Sequence, residues 1–227
     1  MADLDSRYQR PRRQARTDEV YRAIKELLMM REIAPGSPIR SAAIAERLSV
    51  SPTPVREALA ALEIEGLVSR TPMVGYAAAR ELDRAAFEGL FEVRLLLEPV
   101  AARDAALNTN ASSVQRIHDA LERMRNAEAR RWTASEARQF IEQDSRFHNE
   151  VAAMSGNPWM ADAVRRLHSQ VHLFRVMASP DAIEHVVPEH ASILAAIRQG
   201  DAATASSAMA AHILAARERS APFVTSQ

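Results

Sequence analysis

Apolar residues recur at helical spacing along most of this chain, and the one place where the spacing changes separates two kinds of domain. Val20, Ile24, Leu27 and Leu28 form a 3.6-residue stripe that predicts a helix capped by Thr17. Ile33-Ala-Pro-Gly-Ser-Pro38 ends it with two prolines and a glycine. Ser41 then reads as an N-cap, with Ile44 and Leu48 on the inner face of a short helix and Val50 plugging a tight turn. Ser51-Pro52 restarts the chain as N-cap and first helical residue, where proline loses only an N–H that a helix start leaves unpaired. Val55, Leu59 and Leu62 face inward, which leaves Thr53, Arg56 and Ala60 on the other side, and Gly66 closes the helix. These two helices fit a DNA-reading helix-turn-helix and also an ordinary helical hairpin. Beyond Gly66 the texture changes. Leu67-Val68 and Tyr76-Ala-Ala read as short strands joined by a turn from Thr71 to Gly75. Three helices and a β-hairpin predict a winged helix-turn-helix over residues 17–80, and the wing favours DNA because a plain helical hairpin needs none.

From Glu81 onward the pattern is helical only. One helix is expected from about Asp83 to Leu107, with Phe87, Leu90, Phe91, Leu95 and Val100 inward and Pro99 disrupting it locally. Others begin at Ser112, at Thr133 or Ser135, and after Gly156-Asn157-Pro158. The fourth should end near Ser179-Pro180, a fifth spans about Asp181 to Gln199, and Gly200-Asp201 stops it and caps a sixth that runs to about Arg219. The expected fold is mainly α: the winged helix, then an all-α antiparallel bundle of about six helices over residues 81–220. Residues 1–16 are expected as a disordered basic arm and 221–227 as a frayed tail.

Composition adds bounds. With 227 residues, two domains are the default, and no run of 18 apolar residues predicts a membrane span. The absence of cysteine leaves no disulfide or thiolate chemistry, and the N-terminus has no apolar signal segment, so a cytoplasmic protein is expected. Net charge is zero, yet residues 1–80 hold 13 Lys and Arg against 10 Asp and Glu, and residues 81–227 hold 16 against 19. Much of the first excess is Arg7, Arg10, Arg12, Arg13 and Arg16, suited to phosphates beside a DNA reader or to plain solvation.

Seven histidines offer chemistry to the bundle. Asp144 and His148, at i and i+4, share a helical face. His190 precedes Gly200 by 10 residues and His212 follows it by 12, so an antiparallel pair brings them to one level, roughly 15–18 Å from the turn at ~1.5 Å per residue. One carboxylate and three imidazoles suit a borderline divalent ion, zinc first, with nickel and manganese as alternatives. The same arithmetic lifts His168, itself i,i+4 with His172, to the level of Asp144, so spacing alone does not choose the ligand set.

At this point the chain resembles GntR-type transcription regulators of the FadR-like subgroup with an FCD effector domain. The resemblance is carried by V-S-P-T-P-V-R-E-A-L at 50–59, L-x-x-E-G-L-V at 62–68 and the wing glycine Gly75, and in the bundle by E-V-R-L-L-L-E-P at 92–99. D-S-R-F-H at 144–148, G-N-P at 156–158, E-H-A-S-I-L-A-A-I at 189–197 and A-H-I at 211–213 complete it. It implies a homodimer joined through the bundles, double-stranded operator DNA with two half-sites, and a small-molecule effector, commonly an organic acid. It implies Asp144, His148, His190 and His212 as metal ligands, which ranks His168 below them. It implies Arg94 as the partner of the effector carboxylate, against an i,i+4 salt bridge with Glu98. Ser51, Thr53 and Arg56 match its DNA contacts. Pro52, Ala42 and Met73 depart from it, being uncharged where relatives carry polar or charged contact residues. The implied function is a metabolite-responsive regulator, a repressor ahead of an activator and not an enzyme. The other readings are a helical-bundle metalloenzyme with an accessory N-terminal domain, and a helical adaptor.

Overall fold

Two apolar stripes meeting face to face build the first half of the chain. In the computed structural model, which describes residues 5–128, 133–175 and 184–224, the chain divides into the units Met1–Glu81 and Leu82–Gln227. Helix α1 (Asp5–Met29) packs chiefly on α3 (Pro52–Ile64), with α2 (Ser41–Arg47) between them in sequence. Val20, Ile24, Leu27 and Leu28 of α1 and Val55, Ala58, Leu59 and Leu62 of α3 are all buried. Polar ties reinforce the pairing: Thr17 Oγ1 donates to Glu57 Oε2 (2.9 Å), Tyr21 Oη to Glu65 Oε1 (2.5 Å) and Lys25 Nζ to Glu65 Oε2 (3.1 Å).

Two expectations for this unit change. Residues 5–16 form the opening turns of α1 instead of a disordered arm, so Thr17 is not a cap. Arginine and glutamine are good helix formers, and extending an existing helix avoids a second nucleation. Residues 1–4 lie outside the described residues. Ser41 is the first helical residue of α2, with Arg40 as its extended N-cap.

The end of α3 is set by backbone geometry. Gly66 takes φ 75°, its N–H bonds Glu63 O (2.9 Å), and Leu67 N–H reaches back to Leu62 O (2.9 Å). This Schellman closure satisfies carbonyls that a helix end leaves open. The chain leaves it as β2 (Val68–Thr71), which pairs antiparallel with β3 (Gly75–Ala78), Thr71 opposite Gly75. A third strand, β1 (Pro38–Ile39), completes the sheet in the order β1-β3-β2. Only two residues long and starting with proline, it gave no alternation to read.

The second unit holds six helices among the described residues: α4 (Arg84–Leu107), α5 (Ala111–Glu128), α6 (Ala134–Met154), α7 (Pro158–Arg175), α8 (Val186–Gln199) and α9 (Ala202–Ser220). Side-chain caps set several starts. Asp83 accepts from Ala86 N (2.8 Å), Thr133 and Glu136 form a capping box, and Asp201 accepts from Thr204 N (3.0 Å). α4 runs on through the buried Pro99 and packs most heavily on α9, and α5 on α6. Phe87, Phe91, Ile117, Met124, Phe147, Ile193 and Ile213 lie in their common core. α8 begins at Val186; the expected start near Asp181 and the end of the preceding helix near Ser179-Pro180 fall outside the described residues. The expected frayed tail is instead a 3-10 turn over Ala221–Phe223, because Ala221 and Val224 pack against the core. Residues 225–227 are not described.

Replacing Gly66 by alanine forces a Cβ into the left-handed region, and the expected loss is about 1–2 kcal/mol of first-unit stability. A urea titration that leaves stability unchanged contradicts this account of the α3 stop.

Candidate functional site

Two sets of side chains were expected to carry function, one in each unit. In the first, the sequence of α3 turns Val55, Ala58, Leu59 and Leu62 inward, so Thr53 and Arg56 project outward and are exposed. Ser51 holds the N-cap position in extended conformation, but its hydroxyl makes no capping bond. Among the described residues Arg56 is exposed and enters no ion pair, with Glu57 or with a neighbouring acid. An exposed guanidinium beside a hydroxyl, at the start of a helix, can bond guanine edges bidentately or clamp phosphate. Gly75 is exposed at φ 110°, a value that favours glycine, where the wing turns back into β3.

In the second unit, the bundle brings polar groups into its core. His148, His190 and His212 are each no more than 1% exposed, and their ligand atoms lie within 4.8 Å of one another. His190 Nε2 stands 3.2 Å from His148 Nε2 and 3.2 Å from His212 Nε2. Asp144 Oδ1 sits at the rim, 3.7 Å from His190 Nε2. Phe147 stacks flat on the His190 ring at 4.1 Å and fixes its plane.

The outer nitrogens decide what the inner ones can do. His148 Nδ1 faces Glu98 Oε2 (2.5 Å), and His212 Nδ1 faces Glu189 Oε2 (2.6 Å). With His212 Nδ1 bonded to Glu189 and His148 Nδ1 set against Glu98, both rings turn Nε2 toward His190. One proton on His190 Nε2 serves one of them well; a cation serves all three. Four ligands at ~2.0–2.1 Å in a tetrahedron stand about 3.3 Å apart, close to the 3.2 Å seen between these nitrogens. The donor set therefore fits a divalent ion. Carboxylates behind ligating histidines are the usual outer support of such sites. Glu189 is itself gripped by Arg219 through two bonds, 2.7 and 2.8 Å. Burial would raise its pKa, but the bonds from His212 and Arg219 lower it to about 2.

His168 goes elsewhere. It groups with Glu98 and His148, its Nε2 3.2 Å from both Glu98 oxygens, while Arg94 Nε bonds Glu98 Oε1 (2.6 Å) and Arg94 Nη2 lies 3.4 Å from His168 Nε2. A guanidinium already supplies positive charge there, so this second group is a poor place for a metal. Burial alone would raise the Glu98 pKa, but Arg94, His148 and His168 hold it well below the usual range. The i,i+4 pair of Arg94 with Glu98 is formed, yet Arg94 Nη1 stays buried with no hydrogen-bond partner. The His172 side chain lies outside the described residues.

Sequence reasoning missed Glu98 as the support of His148, and it missed Glu189 and Arg219 altogether. Their signals were faint: Glu98 follows Arg94 by one turn, Glu189 adjoins His190, and Arg219 lies two turns beyond His212 on α9.

Comparison with known proteins aligns with this division. Residues 16–77 match the model described as bacterial regulatory proteins, gntR family, and residues 89–215 match the FCD domain. The HTH-type transcriptional repressor RspR of Escherichia coli K12 is 26% identical over 201 residues, covering 86% of this chain and 84% of that protein. The HTH-type transcriptional regulator LutR of Bacillus subtilis is 29% identical over 204 residues, covering 80% and 90%. A putative transcriptional regulator GntR from Rhodococcus sp. RHA1 has the same fold, with a TM-score of 0.72 at 19% identity over 93% of this chain and 100% of that one. No helix among the described residues is long and apolar enough to cross a membrane.

Two outcomes are expected. Glu189→Gln weakens the outer hold on His212 and should lower metal affinity ~10–100-fold in chelator competition, with the fold unchanged by circular dichroism. Acid should destabilise the metal-free protein. Burial depresses the His148 pKa from 6.5 to about 4, so between those values the unfolded chain takes a proton that the folded chain refuses. That stability is present above pH 6.5 and lost as pH falls toward 4, on the order of 3 kcal/mol. A denaturation midpoint flat across this window removes the buried neutral histidine from the account.

Proposed function

The chain belongs to the gntR family of bacterial regulatory proteins and carries an FCD domain, and from that premise we propose that it is a metabolite-responsive repressor whose bundle binds a divalent metal and a small organic acid. The family membership makes it a DNA-binding transcriptional regulator rather than the metalloenzyme or the adaptor considered from sequence. Repression is favoured because RspR is named a repressor. The cytoplasm, where operator DNA lies, is its place of action.

Arg94 carries the metabolite reading. Its Nη1 is a buried charged donor without a hydrogen-bond partner, on a guanidinium whose Nη2 lies 3.4 Å from His168, the ring that stacks on His148. An unmet buried donor of this kind costs stability unless an acceptor meets it, and a carboxylate is the matching group. Asp144, His148, His190 and His212 would hold the ion, zinc ahead of nickel or manganese. When bound, the ion supplies a Lewis-acidic position for a second oxygen of the same acid. Glu98 and Glu189 keep the two imidazole tautomers fixed, and Arg94 orients the anion. The acid then shifts the population of DNA-competent arrangements within a homodimer bound to a two-half-site operator. On the DNA side Arg56 and Thr53 read base edges, Ser51 anchors the start of α3 and Gly75 shapes the wing.

Arg56→Ala should cost ~1–3 kcal/mol of specific binding and leave non-specific binding nearly unchanged. The probe is the best duplex recovered from a random pool, followed by fluorescence anisotropy. Protein purified without chelator should contain about one divalent ion per chain by elemental analysis, lost in His190→Ala. Metal retained in that variant and lost in His168→Ala would transfer the site to the Glu98 group.

A further inference from the structure

The wing ends in hydrocarbon, held in a conformation that hydrocarbon side chains avoid. Val74 N–H bonds Thr71 O (3.1 Å), so residues 71–74 form a tight turn, with Pro72 at its second position and Met73 at its third. Met73 takes φ 64°. A turn with proline at the second position and positive φ at the third is type II, and the third place normally falls to glycine or asparagine. A methionine there strains the backbone by about 1–2 kcal/mol. Nothing within the unit compensates: Met73 is fully exposed and Val74 is 82% exposed. On β2 the exposed Arg70 lies opposite Tyr76, its guanidinium 5.6 Å from the centre of that ring. The hairpin continues directly from the closed end of α3 through Leu67. It therefore extends the helix-turn-helix, the element that reads DNA in this family.

We propose that Met73 and Val74 form an apolar wedge that the wing presses into the minor groove beside the bases read by α3. Neither side chain can bond a base edge or a phosphate with strength, so the contact selects by shape and deformability. Apolar wedges of this kind lie against or between base steps and kink the duplex, most easily at TA and CA/TG steps. Arg70 contributes a phosphate contact at the flank. This inference rests on the DNA-reading role of the first unit, and it converts the missing charge at the wing tip into a second mode of readout.

The test selects a random 30-base-pair duplex pool in parallel with the full chain and with Met73→Gly, Met73→Asn and Arg70→Ala. Glycine and asparagine both accept positive φ, so their thermal midpoints should equal or exceed that of the parent. Parent and Met73 variants should enrich one shared core, and only the parent should add TA or CA/TG steps at a fixed distance outside it. On the parent's best duplex both Met73 variants should bind about tenfold more weakly, a loss near 1.4 kcal/mol. Their slope of log affinity against log salt should match the parent's, whereas Arg70→Ala should flatten it by about 1. End-to-end fluorescence transfer should show less bend with the Met73 variants. Identical flanking preferences and bend overturn the wedge, as does weakened binding accompanied by a lower thermal midpoint. Failure of the parent to enrich any core overturns the DNA reading itself, a result distinct from the other two.

Discussion

A carboxylate with almost no exposure to water is the constraint around which the bundle is arranged. Glu98, on α4, is kept charged against the pull of desolvation only because Arg94, His148 and His168 surround it. Those partners come from α4, α6 and α7, so three helices meet at two oxygen atoms. His148 then passes the constraint on: its outer nitrogen is committed to Glu98, and its inner nitrogen looks toward His190 and, beyond it, His212. His212 closes the chain on Glu189 and Arg219. One continuous polar path thus crosses α4, α6, α7, α8 and α9. Breaking such a path by removing one member leaves an uncompensated buried charge and costs more than its formation gains. The path is therefore weak evidence for stability; what it does is tie five helices to one set of contacts.

That arrangement has a chemical result. Carboxylates on the outer nitrogens of two rings determine where the inner lone pairs point, and the stacked Phe147 determines the plane of the third. Burial depresses the pKa of both His148 and His168, so the rings stay neutral at neutral pH. Buried imidazoles whose nitrogens converge form a group that could hold a cation. At Glu98 the guanidinium of Arg94 supplies positive charge in covalent form. Two neighbouring groups that share His148 therefore differ in charge: one gathers imidazoles alone, the other pairs a carboxylate with a guanidinium.

The first unit works by a different economy of groups. Its interior is hydrocarbon on both faces of the α1–α3 contact, and its polar ties to Glu57 and Glu65 are partly solvated. Burying Val55, Leu59 and Leu62 leaves Thr53 and Arg56 no other direction than outward. The Schellman closure at Gly66 then launches the wing from a fixed point, and the wing's own turn holds Met73 away from the core.

Sequence alone settled which residues share a helix face and where helices stop, because both are local. The i,i+4 pairing of Asp144 with His148, the similar distances of His190 and His212 from Gly200, the helix start near Asp83, the cap at Asp201, and the outward Thr53 and Arg56 all follow from ~1.5 Å per residue and side-chain hydrogen bonding. Sequence did not reveal the two-residue strand β1, too short to alternate, or the extension of α1 back to Asp5, where no apolar stripe marks the helix. It also left His168 level with Asp144 as a rival ligand. Spacing fixes height along a bundle but not direction around a helix, and in the fold Asp144 lies 3.7 Å from His190 Nε2 while His168 faces another way. Packing turned His168 to Glu98 and Arg94, and turned Glu189 and Arg219 to the back of His212. Which polar groups meet in a core is decided by how neighbouring helices rotate to satisfy every buried charge together.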